Sequence, residues 1–131
     1  MKDFRRLKVW EKAHLLTLDV YKVTARFPRE ELYGLTSQLR RCSASIGANI
    51  AEGCGKEGNR ELYRFLQIAS GSASELDYHL LLARDLNYLT ETDYQNVVRQ
   101  LLDFRRMLTA LVRKVGTDRN IANCQLLTAK C

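Results

Sequence analysis

The chain has 131 residues, of which 46% are hydrophobic and 27% charged, and this composition fits one domain with a sizeable buried core. No run of about eighteen apolar residues occurs, and no apolar stretch follows the charged N-terminus. The sequence therefore predicts neither a membrane span nor a signal peptide, and we expect a cytoplasmic protein.

Positive charge is concentrated at the two ends of the chain. The net charge is +6, with +3 over residues 1–12, −2 over residues 13–96 and +5 over residues 97–131. Basic surfaces attract phosphate backbones, and the attraction weakens with salt. A solvated basic face explains the same distribution, so charge alone leaves both interpretations open.

The four cysteines show no close pairing of the kind that binds zinc or forms a redox dithiol. Free, reduced thiols are the expectation for a cytoplasmic protein, and a disulfide from the tail cysteines is the alternative. These residues are Cys42, Cys54, Cys124 and Cys131.

Hydrophobic periodicity predicts a first helix over residues 7–26. Its apolar stripe includes Trp10, which we expect to anchor a core or an interface, and Phe27-Pro28 ends it because the residue before proline avoids helical angles. A second helix is predicted over residues 31–53. Glu30 and Glu31 suit its first turn, and Gly53 is the expected terminator.

The second helix carries a polar stripe beside its apolar one. Both stripes recur at spacings of three and four, so on a helix they lie side by side. The apolar residues are Leu35, Leu39, Cys42, Ile46 and Ile50, and the polar residues are Gln38, Arg41, Ser45, Asn49 and Glu52.

The third helix is predicted over residues 59–88, after a flexible connector, with Asn59 as its N-cap. Small residues fill positions 69–74. They reduce helix propensity at Gly71 but allow another backbone to come close, so we expect this segment to be an approach surface.

The fourth helix is predicted over residues 91–115, between a Thr90 cap and a stop at Gly116. Its apolar residues average 3.5 positions apart from Tyr94 to Val115, as in a coiled-coil seam. Basic residues line the opposite side. The basic residues are Arg99, Arg105, Arg106, Arg113 and Lys114.

For residues 117–131 the alternatives are a short docked helix, suggested by apolar residues within this segment, and a frayed tail.

Four helices joined by short connectors predict an all-α, antiparallel up-down-up-down four-helix bundle over residues 1–116. The chemical alternatives find little support. His14 and His79 are the only histidines, and no Glu-x-x-His motif of a di-iron bundle occurs. No phosphate-binding glycine loop and no sequence pairing of a nucleophile with a base occurs either. We therefore expect a protein that is not an enzyme and holds no metal or cofactor.

Several short motifs follow one another along residues 4 to about 115. They are Phe4-x-x-Leu-x-Val-Trp10, Phe27-Pro28, Glu31-x-Tyr33-Gly34-Leu35, Gln38-x-Arg-Arg41, Ser45-Ile46, Asn49-Ile50-Ala51-Glu52-Gly53, Phe65-Leu66-x-x-Ala69-x-Gly71-Ser72 and Glu75-Leu76. In these motifs the chain resembles the four-helix-bundle proteins encoded in intervening sequences of bacterial 23S rRNA genes, sometimes labelled S23 ribosomal proteins. Cys42 departs mildly from the family, which often has alanine there.

Related bundles serve as accessory proteins of diversity-generating retroelements, where a basic pentameric barrel binds nucleic acid and a reverse transcriptase. The resemblance therefore implies a homopentamer that binds RNA or DNA, with a reverse transcriptase as a partner to consider. With the basic ridge of the fourth helix, Arg5, Arg6 and Lys8 are the expected nucleic-acid contacts.

The polar stripe suggests a network between the second and third helices. We expect Arg41, Asn49 and Glu52 to meet Ser72 and Glu75, where paired charges fix the register of the helices. The alternative makes Arg40 and Arg41 phosphate contacts.

Two functions from different classes therefore remain open. One is an oligomer that binds nucleic-acid backbones, and the other is an oligomeric scaffold whose basic face meets an acidic protein.

Overall fold

The structure is a computed structural model that describes residues 3–129, with side chains described for residues 3–117. The described part contains four α-helices and no strand, which confirms the predicted all-α class. Short 3-10 turns precede α1 and α2, at Phe4–Arg6 and Arg29–Glu31. The helices are α1 (Lys8–Thr24), α2 (Leu35–Gly55), α3 (Asn59–Asp85) and α4 (Glu91–Ala129).

Hydrogen bonds between side chains define how α1 and α4 pair. The amide nitrogen of Gln100 donates to Asp19 at 2.6 Å, and the Arg26 guanidinium lies 2.8 Å from Asp93. In both pairs the residue numbers add to 119, so the two helices run antiparallel. The start of α1 consequently lies beside α4 near residues 111–113.

α2 and α3 pair in the same way. The hydroxyls of Ser45 and Ser72 are 3.0 Å apart, and the Cys42 sulfur lies 3.9 Å from Nδ1 of His79. Higher residue numbers in α2 face lower residue numbers in α3, so these two helices also run antiparallel. Each helix packs against the helices next to it in the sequence, and α1 also packs against α4. This is the up-and-down bundle that the sequence predicts.

The core follows the predicted apolar stripes. Phe104 is the largest fully buried side chain, and it belongs to the seam of α4. Only Leu111 of that seam is partly rather than fully buried. The other seam residues, all buried, are Tyr94, Val97, Leu101, Leu108 and Val115.

Of two predicted helix caps, the one at Thr90 is confirmed and the one at Asn59 is wrong. The Thr90 hydroxyl accepts a hydrogen bond from the Asp93 N–H at 3.1 Å, as predicted. Asn59, in contrast, is the first residue of α3, and Gly58 precedes it with φ of 82°. Glycine adopts this left-handed conformation at little steric cost, so it takes the position at which we predicted an asparagine cap.

Two glycines that we predicted to end helices lie inside them. α2 continues past Gly53 to Gly55, and α4 continues past Gly116 to Ala129, so the predicted stop at Gly116 is wrong. A Cβ at Gly53 would lie 2.8 Å from Cβ of Phe65, and one at Gly116 would lie 3.2 Å from the Tyr63 ring. Both glycines thus allow close packing against α3. The tail side chains Ile121, Leu126 and Leu127, and the cysteines Cys124 and Cys131, lie outside the described side chains.

Candidate nucleic-acid interface

The outer face of α4 carries exposed cations opposite its apolar seam. Arg99, Arg106 and Arg113 recur every seven residues, roughly 10.5 Å apart at 1.5 Å per residue, and Lys114 follows them. Arg106 makes one long ion pair, 3.8 Å from Asp103, and its side chain is 81% exposed. Between residues 3 and 117, no ion pair engages the other three cations. This face can therefore meet an anionic ligand directly.

Arg105 differs from the rest of the predicted ridge because α3 already engages it. One guanidinium nitrogen lies 3.2 Å from the Asp77 carboxylate, and the other donates to the Ser74 hydroxyl at 2.7 Å. The side chain is one-third exposed. Arg105 thus joins α3 to α4, and much of its charge is compensated within the protomer.

The basic residues near the N-terminus lie at the end of the bundle where Arg113 sits. The antiparallel pairing of α1 with α4 brings Arg6 and Lys8 beside this part of α4. Arg5 is partly engaged, because its guanidinium lies 3.4 Å from Asp3 and 4.4 Å from the centre of the Phe4 ring. The structure therefore brings Arg6, Lys8, Arg113 and Lys114 to one end, whereas Arg99 lies two helical repeats away.

Lys56 and Arg60 were not predicted, yet they belong to the same end. Both are exposed, in the connector between α2 and α3 and in the first turn of α3. The packing of Tyr63 against Gly116 fixes this connector beside the second half of α4. The sequence could have indicated these two residues, because four helices of alternating direction place the connector between α2 and α3 at the end of the bundle where α1 begins.

The predicted polar network forms in part. The Asn49 amide donates to the backbone oxygen and to the hydroxyl of Ser45, at 2.8 and 3.0 Å, and Ser45 contacts Ser72. These three side chains are half-buried between α2 and α3. The structure thus joins Ser45, Asn49 and Ser72 of the predicted network.

Gln38 and the charged members of that network lie at the surface. A depression of about 300 Å³ between α2 and α3 is lined by Gln38, Arg41 and Glu75, together with Cys42 and Ser45. Glu52 is also exposed, and among the described residues no ion pair joins Arg41, Glu52 or Glu75. Arg40 instead contacts α1, donating to the Thr24 hydroxyl at 2.9 Å.

Trp10 lies in a groove of about 390 Å³ between α1 and α2. Its indole stacks on the His14 ring, with centroids 5.0 Å apart, and meets the Phe4 ring edge-on. Gly47 makes room for the indole, because a Cβ there would lie 3.4 Å from its nitrogen. Trp10 is therefore a half-buried anchor between the two helices.

Cys42 is a buried thiol that donates weakly to the Leu39 carbonyl oxygen at 3.5 Å. Burial, together with the negative charge of Glu75, raises its pKa from 9.0 to about 12. The thiol therefore stays protonated at neutral pH, which makes it a poor nucleophile.

Because the pKa of Cys42 is raised, we expect the protein to lose stability at alkaline pH. Below pH 9 both the folded and the unfolded thiol are protonated, and from pH 9 to about 12 only the unfolded one ionises. Folding stability should then fall by roughly 1.4 kcal/mol per pH unit relative to Cys42→Ala. Denaturant unfolding of both proteins from pH 7 to 11 measures this difference, and parallel stability curves would contradict it.

No helix among residues 3–129 combines the length and the apolar character needed to cross a bilayer. Within the described residues, no group of three or more His, Cys, Asp or Glu side chains is placed to hold a metal ion. The cations described above remain the main charged feature of the described surface.

Fold and surface together define a small four-helix bundle with basic residues on one helix face and at one end. The sequence profile of the 23S rRNA-intervening sequence protein family matches residues 5–110, so the chain belongs to this family. No curated protein sequence matches the chain significantly.

A solved structure shows the same fold. It is a protein of unknown function from the S23 ribosomal protein family of Bacteroides thetaiotaomicron, with a TM-score of 0.74 and 23% sequence identity. The alignment covers 80% of this chain and 95% of that one. At this level of identity the similarity supports the bundle architecture alone.

Proposed function

We propose that the protein is a non-enzymatic homo-oligomer that binds nucleic-acid backbones through the outer face of α4 and the adjoining end of the bundle. The observation that carries this proposal is that, among residues 3–117, no ion pair engages Arg99, Arg113 or Lys114, while Arg106 makes one long ion pair at 3.8 Å. Arg6, Lys8, Lys56 and Arg60 extend the basic surface. Arg105 is left out because Asp77 and Ser74 engage it.

Phosphate contacts of this kind give affinity with little sequence preference. A single face with three or four cations binds weakly, and several copies in one assembly raise the effective concentration of such sites. The resemblance to retroelement accessory proteins supports a pentamer and a reverse transcriptase as a partner. The family name refers to 23S rRNA, which makes RNA the first ligand to test.

The test compares wild type with Arg106→Gln/Arg113→Gln in binding a fluorescent single-stranded RNA of arbitrary sequence, by anisotropy at several salt concentrations. The slope of log K against log salt should become shallower by about 0.7 for each lost phosphate contact, and affinity should fall. The matched control is Lys22→Gln/Arg29→Gln. Both residues are exposed, and this double variant removes the same amount of charge from a surface outside α4.

Equal loss in both variants would mean that only net charge matters and would reject this face as the site. Absence of binding by the wild type at low salt would reject nucleic acid as the ligand. The scaffold with an acidic protein partner would then be the better hypothesis.

A further inference from the structure

The outer face of α2 is unusual because it lacks long side chains along three helical turns. Ala44 and Ala48 are exposed and Ala51 is half-buried, while Arg41 and Glu52 flank the three alanines. Exposed faces of globular helices normally carry charged or polar residues. Alanine here leaves room for a second helix to approach closely, near the lower limit of about 8 Å between axes.

The outer face of α3 carries large apolar residues that stay exposed in the described part of the protomer. Ile68 is 41% and Tyr78 is 59% exposed, and a Cβ at Gly71 would meet no atom within 4 Å. With Arg64 and Glu75, these residues recur at spacings of four and three. Such spacing forms a straight seam for a partner helix.

The two seams match residue by residue. Within the protomer, facing residues of α2 and α3 have numbers that add to 117 for Ser45 with Ser72 and to 121 for Cys42 with His79. A rotation about an axis parallel to the helices keeps every residue at its height. It therefore sets α2 of one copy against α3 of the next in nearly the same register. The numbers of two facing residues then again add to about 119. The facing pairs are then Arg41 with Tyr78, Ala44 with Glu75, Ala48 with Gly71, Ala51 with Ile68, and Gly55 with Arg64.

Charge is complementary in this arrangement. Arg41 of one copy comes within one helical turn of Glu75 of the next, and Glu52 comes within one turn of Arg64. Arg41, Glu52 and Glu75 have no ion pair within the described protomer, and Arg64 has only an exposed one to Glu61, at 3.2 Å. The two seams together carry two positive and two negative side chains, so they suit each other better than they suit a polyanion.

We propose that the outer face of α2 packs antiparallel on the outer face of α3 of a second copy, with Ala48 against Gly71 at the centre. The proposal rests on the homo-oligomer of the proposed function and names its interface. Because the two faces differ, the contact joins unlike surfaces, and such contacts form a ring when the rotation from copy to copy closes. Of the small residues at 69–74, exposed Gly71 then lies where another protomer approaches, whereas Ala69 and Ala73 are buried in the core of their own protomer.

Disulfide cross-linking tests the facing pair directly. Ala48→Cys/Gly71→Cys, in a background with Cys124 and Cys131 changed to serine, should give a ladder of covalent multimers on a denaturing gel after mild oxidation. Ala48→Cys alone and Gly71→Cys alone should remain single chains. Ala48→Cys/Ala110→Cys is the matched control, because Ala110 is an exposed alanine of α4.

A second variant separates folding from assembly. Gly71→Leu meets open space within the protomer, so circular dichroism should show an intact helical bundle. In light scattering, however, the variant should shift from the wild-type oligomer to the 15.1 kDa monomer, while Ala110→Leu should stay oligomeric.

The outcomes distinguish the interface from the proposed function. A wild-type oligomer with no ladder, or with an assembled Gly71→Leu variant, would overturn the interface and leave the oligomer standing. Cross-linking of Ala48→Cys alone to dimers would also overturn it, because that result requires two identical faces to meet. A monomeric wild type would overturn both the interface and the homo-oligomer, whereas RNA binding is measured separately.

Discussion

Replacing Phe104 with alanine is expected to lower the free energy of unfolding by about 3–5 kcal/mol. Phe104 is 0% exposed and is the largest fully buried side chain of the described core. It lies at the middle of the α4 seam, where α1 and α3 both pack against this helix. Its removal loses the transfer free energy of the ring and leaves a cavity that three helices cannot close without moving. Since whole domains are stable by only about 5–15 kcal/mol, this one change removes a large part of the total.

Denaturant unfolding followed by circular dichroism measures the effect, at one fixed protein concentration because assembly adds to apparent stability. Leu102→Ala is the control, since this neighbouring residue of α4 is 49% exposed. The control should change stability by no more than about 0.5 kcal/mol. A similar loss in both variants would show that Phe104 does not occupy the core position described.

Replacing Gly53 with alanine is expected to destabilise the protein, although alanine is the better helix former. The new Cβ would lie 2.8 Å from Cβ of Phe65 and 3.2 Å from Cδ1 of Leu62. Because Cβ of Phe65 is fixed to the backbone, α3 itself must shift. Overpacking of this kind costs about 1–3 kcal/mol, which exceeds the gain of about 1 kcal/mol in helix propensity.

Gly55 provides the matched control for Gly53. It lies two residues further along α2, and a Cβ there would meet no atom within 4 Å. Gly55→Ala should therefore leave the thermal melting temperature unchanged or raise it slightly, whereas Gly53→Ala should lower it. A higher melting temperature for Gly53→Ala would disprove the close crossing of α2 and α3.

The fold was predictable from the sequence because the core depends on periodicity. The α4 seam from Tyr94 to Val115 was defined by spacing alone, and all of its members are buried or partly buried. Helix ends were less predictable. A glycine is equally visible in the sequence whether it ends a helix or admits a neighbouring one, and only the crossing of α3 distinguishes Gly53 and Gly116 from terminators.

The candidate site was less predictable because it depends on which helices are neighbours. Spacing placed Arg105 on the same ridge as Arg106, but only the packing of α3 on α4 supplies Asp77 as its partner. Likewise, the polar stripe of α2 contains Ser45, which faces α3, and Arg41, which is exposed. Both residues have the spacing of one stripe, and a difference of a few tens of degrees around the helix decides their environments.

The order in which the helices contact one another also bears on how the chain folds. In the described bundle each helix packs on its neighbours in sequence, and the only pair that joins distant segments is α1 with α4. Proteins dominated by such local contacts have low contact order and fold within microseconds to milliseconds. The hairpin of α2 and α3 can thus form early during folding, and the packing of α1 on α4 is the last contact to form.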